Sequence, residues 1–144
     1  MIAIASDHGG FALKQELMAQ LEKDGIAFED LGTYTEESCD YPAYAEKLCR
    51  AVVAGTYEKG ILVCGTGIGM SMAANKIAGV RCALCSDCFS AEMTRRHNDA
   101  NVLALGGRVL GVELARRIMN IFLSTPFDGS RHQRRVDQMM ALEG

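Results

Sequence analysis

No stretch of this chain is long and apolar enough to span a bilayer, which excludes a helical membrane anchor within it. Positive charge is also scarce: 15 Lys and Arg stand against 18 Asp and Glu, a formal net charge of −3. That balance excludes the broad basic surfaces that bind nucleic acid or anionic membranes, so any anion must be held by a few local cations. The N-terminal Met1-Ile-Ala-Ile-Ala-Ser6 lacks the basic segment of a secretion signal and reads as a strand, so a cytoplasmic location is expected. Repeats and low-complexity segments are absent, and there are only two prolines and three histidines. What remains is an apolar chain, 49% hydrophobic over 144 residues, which suits a single domain spanning 1–144 with a substantial core. Its six cysteines are expected as free thiols in a reducing compartment.

Short apolar runs alternate with helical periodicity from end to end. Strands are expected at Ile2–Ser6, Ile26–Leu31, Gly60–Cys64, Arg81–Cys85 and Val102–Leu105. Helices are expected over about 11–23, where Leu13, Leu17 and Leu21 share a face, from Pro42 to Gly55, and over about 68–77. Further helices should run from the Ser86-Asp87 cap to about 96, over Gly111–Leu123 with Leu114, Ile118, Ile121 and Phe122 inward, and over about 131–142. Five strands separated by helices predict a three-layer αβα sandwich, a doubly wound, Rossmann-like parallel sheet ending in a basic helix. Ligands of such sheets bind outside the carboxyl ends of the strands. Those ends carry Asp7-His8, Cys64-Gly65-Thr66, Ser86-Asp87 and Gly106-Gly107-Arg108.

The segment Cys64-Gly-Thr-Gly-Ile-Gly69 carries the most chemistry. It is neither a P-loop, which needs Gly-Lys-Ser/Thr, nor a Gly-x-Gly-x-x-Gly dinucleotide fingerprint. Three alternate glycines before a helix offer backbone N–H groups to a phosphate or an enediolate oxyanion. Cys64 reads either as a small buried hydrophobe or as a thiolate nucleophile or base at the mouth of that cradle. His8 beside Asp7 suits a ligand contact. His97, expected just past a helix in Arg95-Arg96-His97-Asn98-Asp99, is either a ligand contact or a helix-terminal cation. Arg131 and Arg135 share a helical face and form either a phosphate clamp or a solvated charged face. Cys82, Cys85 and Cys88 match a spacing of iron–sulfur ligation. Cys82 and Cys85 should face opposite sides of a strand, however, so buried thiols are expected instead.

Asp7-His8-Gly9-Gly10, Asp40-Tyr41-Pro42, Cys64–Gly69, Ala73-Ala-Asn-Lys76, Arg96-His97-Asn98, Gly107-Arg108 and Arg131-His-Gln-Arg-Arg135 together resemble the type B ribose-5-phosphate isomerases. The wider family includes the galactose-6-phosphate isomerase subunits, and the resemblance covers nearly the whole chain in order. Those subunits lack the His-Asn pair and the terminal arginine cluster, so their presence here favours the pentose enzyme. Family members with a serine in place of the thiol use a glutamate further along the loop. Cys64 and Met70 fit the thiol branch.

The resemblance implies a cytoplasmic, metal- and cofactor-independent isomerase (an intramolecular oxidoreductase) of the non-oxidative pentose phosphate pathway. It would interconvert D-ribose 5-phosphate and D-ribulose 5-phosphate through a cis-enediolate. It implies Cys64 as the base and His97 as the ring-opening acid–base. Asp7 and Asn98 would hold hydroxyls, and Thr66 would either relay a proton or hydrogen-bond at the carbonyl oxygen. The N–H groups of Gly65, Thr66, Gly67, Ile68 and Gly69 would form the oxyanion hole, with His8, Arg108, Arg131 and Arg135 on phosphate. The rival readings are an isomerase for allose or galactose 6-phosphate, and a non-catalytic sugar-phosphate- or flavin-binding module.

A geometric expectation stands apart from the family. His97 follows the helix after the fourth strand and so belongs near the amino edge of the sheet, whereas Cys64 ends a strand at the carboxyl edge. Composite sites in a homodimer or tetramer are therefore expected, with His97-Asn98 supplied by the partner.

Overall fold

The computed structural model describes residues 1–144. Its strands are β1 (Ile2–Ser6), β2 (Phe28–Asp30), β3 (Gly60–Cys64), β4 (Cys82–Leu84) and β5 (Val102–Gly106). All pair in parallel, in the order β2-β1-β3-β5-β4. Helices α1 (Phe11–Lys23), α2 (Tyr41–Val53), α3 (Ile68–Ala74) and α4 (Cys88–Asn98) connect them. After β5 come α5 (Val112–Ser124), α6 (Arg131–Met140) and a 3-10 turn at Ala141–Glu143. This is the doubly wound sandwich that the alternating pattern predicts.

The three central strands are buried along their whole length. Strand alternation sorts their side chains by size. Ile2, Ile4, Ile61, Val63, Leu103 and Leu105 face the layer of α1 and α5. Ala3, Ala5, Leu62, Cys64, Val102 and Ala104 face α2 and α3. The smaller second face lets α2 sit close to the sheet, where a Cβ on Gly60 would overlap Leu48. Cys64 lies on this face.

Several boundaries differ from those the sequence predicts. The two edge strands hold three residues each, because each pairs on one side only. α3 stops at Ala74 because Asn75 turns back onto β4, its Oδ1 accepting from Cys82 N at 2.8 Å and its Nδ2 donating to Cys82 O at 3.0 Å. In α5 the buried stripe is Ala115, Ile118, Met119 and Phe122, an i, i+3, i+4, i+7 set, so Leu114 faces outward and Ile121 is half-buried. Asp87 caps α4, accepting from Ser90 N at 2.7 Å and Ser90 Oγ at 2.8 Å. Those bonds hold its carboxyl below the usual range.

All six cysteines are free thiols. Cys82 and Cys85 pack in opposite layers, as strand alternation requires. Burial pushes the Cys49 thiol up to about 12 and Cys85 up to about 11, and raises Cys82 as well.

Three charged residues are buried, Asp7, Lys14 and Arg95, and of these Lys14 lies deepest. Lys14 is fully buried, and its Nζ donates to Asp30 Oδ1 at 2.6 Å and to Thr33 O at 2.5 Å. Asp30 Oδ1 also accepts from Gly32 N at 2.9 Å. The lysine thus ties α1 to the end of β2 and to the turn that leads across the carboxyl edge. Lys14→Met would leave a half-buried carboxylate and a carbonyl without their cation. A fully buried broken pair costs about 3–5 kcal/mol, and the partial exposure of Asp30 brings the expected cost to about 2–3 kcal/mol. Thermal unfolding monitored by circular dichroism should show Tm lower by roughly 10 °C. An unchanged Tm would contradict the role assigned to the lysine.

Candidate active site

α1 leaves β1 toward one layer and α3 leaves β3 toward the other, so a crevice opens between the adjacent carboxyl ends of β1 and β3. Three turns meet there, and the backbone locks them together. Asp7 N donates to Val63 O at 3.2 Å, Gly107 N to Cys64 O at 2.8 Å, and Arg108 N to Gly65 O at 2.9 Å. Gly10 fits only without a side chain, because a Cβ would overlap the Val63 carbonyl. That close approach seats the start of α1 against the end of β3.

Each side chain at the crevice is held by a specific contact. Asp7 is buried and its Oδ1 accepts from Gly10 N at 3.1 Å. His8 Nδ1 accepts from Cys39 N at 3.2 Å, so the neutral ring carries its proton on Nε2 as an available donor. Cys64 is 5% exposed, and its Sγ accepts from Gly67 N at 3.1 Å. Gly67 reaches the sulfur through φ +79°, the left-handed region that favours glycine. A Cβ there would also press on Leu84, Leu105 and Gly106 at 2.6 to 3.1 Å. This N–H fixes the sulfur's position and supplies a donor to the charge that sulfur carries when it acts.

Thr66 Oγ1 accepts from Ile68 N at 3.2 Å, which leaves its hydroxyl proton free to donate. The N–H groups of Gly67 and Ile68 thus bond within the loop, to Cys64 Sγ and Thr66 Oγ1. Arg108 lies across the loop: its guanidinium stands 3.3 Å from where a Cβ on Gly65 would be and 3.4 Å from one on Gly9. It is exposed and pairs with no carboxylate.

A second group lies apart. α4 runs through His97, which is therefore in its last turn rather than past it. The chain then enters β5 at Val102, which pairs with Gly60, whereas Cys64 pairs with Gly106 at the other end of the same ladder. His97 and Asn98 are thus about one strand length from Cys64, on the order of 13 Å. α6 packs against α4, and His132 stacks on His97 with ring centroids 4.2 Å apart and planes at 8°. Burial, with His97, Arg131 and Arg135 adding to it, holds the His132 imidazole below its usual range. Arg131 and Arg135 flank this pair, exposed and without ion pairs. The structure brings together Asp7, His8, Cys64–Gly69 and Arg108, and separately His97, Asn98, Arg131 and Arg135.

The cavities follow the same division. The largest, about 550 Å³, is walled by Val80, Cys82, Ala100, Met139 and Met140, with Asn98 on its lining. A cavity of about 230 Å³ adjoins the glycine loop at Thr66, Ile68, Gly106 and Val109. Neither is lined by Cys64, which is buried at the end of β3.

Sequence reasoning misses Tyr41, whose ring lies over the loop within 2.7 Å of where a Cβ on Gly69 would be. Its only signal is its place in Asp40-Tyr41-Pro42. Lys14 gives no signal at all.

Fold and site together define a class: a doubly wound α/β protein whose switch-point turns present a thiol, a histidine and an unpaired arginine to a small anionic ligand. The chain belongs to the ribose/galactose isomerase family, whose family model matches residues 2–139. It is 49% identical to ribose-5-phosphate isomerase B of Escherichia coli K12 over 142 residues, 99% of this chain and 95% of that one. The solved ribose-5-phosphate isomerase B of Clostridium thermocellum superposes with a TM-score of 0.97 at 47% identity, covering 99% of this chain and 96% of its own. That of Mycoplasma genitalium, solved with bound ribulose 5-phosphate, gives 0.93 at 40% identity, covering 99% and 95%. No helix is long and apolar enough to cross a membrane.

Proposed function

We propose that residues 1–144 act as one isomerase domain that interconverts D-ribose 5-phosphate and D-ribulose 5-phosphate. The observation that carries this reading is the Cys64 sulfur, held by the Gly67 amide at the crevice between β1 and β3, beside Asp7, His8 and the unpaired Arg108. The full-length kinship to ribose-5-phosphate isomerases B supports the substrate.

The chemistry needs a base, an oxyanion hole and a fixed substrate. With the furanose opened, the Cys64 thiolate takes the C2 proton. The C2–H electrons form the C1=C2 bond, and the carbonyl pair moves onto O1. The Thr66 hydroxyl and the loop N–H groups not used internally meet that negative oxygen. A proton passes from O2 to O1, the Cys64 thiol returns its proton to C1, and C2=O forms. No net redox equivalent enters or leaves. Asp7 holds a hydroxyl, and His8 and Arg108 bind phosphate.

Ring opening needs a second acid–base, and His97 lies about one strand length, on the order of 13 Å, from its own chain's Cys64. We infer a homodimer in which the partner's α4 and α6 bring His97, Asn98, Arg131 and Arg135 to the crevice. Exposed Ile68, Met72, Leu84, Phe89 and Val109 give that face the apolar character of a subunit contact.

The substrate reading is tested by kcat/KM on ribose 5-phosphate against allose and galactose 6-phosphates. A pentose preference of at least about tenfold is expected. A hexose preference would reassign the enzyme within its family, and binding without turnover of any of them would make it a sugar-phosphate-binding module.

A further inference from the structure

We propose that His97, Asp128 and His132 form a binding site for a borderline divalent transition-metal ion such as Zn²⁺, and that filling it stops the isomerase. The first half rests on geometry alone, and the second on the role given to His97 above.

One ligand atom from each of the three residues lies within 4.8 Å of the others. Ligands of a tetrahedral zinc ion sit about 3.3 Å apart, so shifts of about an ångström per side chain close the set. The local chain does most of the assembly. Asp128 and His132 are separated by one tight turn, which is pinned to α4 by Asp128 N donating to Arg96 O at 3.0 Å. His97 comes from α4 itself and stacks on His132, so rotation of the two rings about their Cβ–Cγ bonds, out of the stack, turns their in-plane nitrogen lone pairs toward a shared ion. All three side chains are at least partly open to solvent, so an ion can enter.

The donor set selects the ion. Two imidazoles and one carboxylate suit Zn²⁺, Ni²⁺ or Cu²⁺, while Mg²⁺ and Ca²⁺ want oxygen. Local charge sharpens this choice. Arg96 Nε lies 3.4 Å from Asp128 Oδ1, and Arg131 and Arg135 are near His132. Those cations oppose a second positive charge, so only an ion bound through nitrogen coordination is held. Arg96 engages Oδ1 of Asp128 and leaves Oδ2 for the metal. Three protein ligands leave the fourth position open, which makes the site exchangeable rather than structural.

Occupancy would remove the His97 lone pair from acid–base work. Zn²⁺ should therefore lower turnover in competition with substrate, without unfolding the protein.

The test uses the chelator-treated full-length protein with Co²⁺ as a spectroscopic probe, Zn²⁺ as competitor and the isomerase rate as a parallel readout. One Co²⁺ per chain is expected, with d–d bands of nitrogen and oxygen ligation and no sulfur charge-transfer band, and Zn²⁺ should displace it. Asp128→Asn and His132→Gln should each weaken Co²⁺ binding more than about tenfold, judging from what loss of even an outer-sphere partner costs. Each should raise the half-inhibitory Zn²⁺ concentration in step, measured against its own metal-free rate.

A sulfur charge-transfer band with affinity unchanged in both variants would place the ion on cysteines and overturn the site. Absence of Co²⁺ binding would overturn it too. Activation by Zn²⁺, or binding without inhibition, would overturn the second half. A wild type with no metal-free turnover would instead sink the isomerase reading, while the Co²⁺ spectrum still judges the site by itself.

Discussion

Cys64→Ala is expected to lower kcat on ribose 5-phosphate by about 10³-fold with little change in KM, the loss typical of a removed general base. The other ionisable groups of the crevice are already engaged. Asp7 holds the Gly10 amide, the His8 Nδ1 lone pair takes the Cys39 amide, and Arg108 has no lone pair to offer. The Cys64 sulfur combines a basic atom, a fixed position and an adjacent donor at the mouth of the glycine loop.

Alanine fits the site without clash, so Tm should move only slightly and the lost activity is not lost fold. In D₂O, wild-type turnover should place deuterium at C1 of ribulose 5-phosphate, because the thiol exchanges with solvent between taking one proton and returning it. The variant should do so no faster than its residual turnover. A Cys64→Ala protein within threefold of wild type would move the base elsewhere.

Much of this site is legible in the amino-acid sequence. β1, β3 and the start of α1 fall where the apolar runs and the Leu13, Leu17, Leu21 stripe put them, because those segments are buried and periodic. The carboxyl-edge rule then gathers Asp7, His8, Cys64 and Arg108 without knowledge of the strand order. What stays hidden depends on contacts between distant segments. Lys14 looks like a residue at the margin of a helical stripe, and its partners Asp30 and Thr33 lie 16 and 19 positions away. The His97–His132 stack requires α6 to pack on α4, which no local pattern announces. The Gly67 amide bonds the Cys64 sulfur rather than a substrate oxygen, and sequence cannot tell which way a loop N–H points. Edge strands end early because their boundaries are set by pairing, not by hydrophobicity.

The second large effect is a recovery. Cys64→Ala and His97→Gln should each be nearly inactive alone. If the ring-opening histidine reaches the thiol only across a subunit contact, a mixed dimer carries one site with both lesions and one with neither. Random pairing of equal amounts, by co-refolding or co-expression, makes half the dimers mixed, so about a quarter of all sites are intact. The isomerase rate of the mixture on ribose 5-phosphate tests thiol, histidine and composite site at once. Recovery of about a quarter of wild-type activity is the predicted result, and a mixture no more active than its parents would contradict the account.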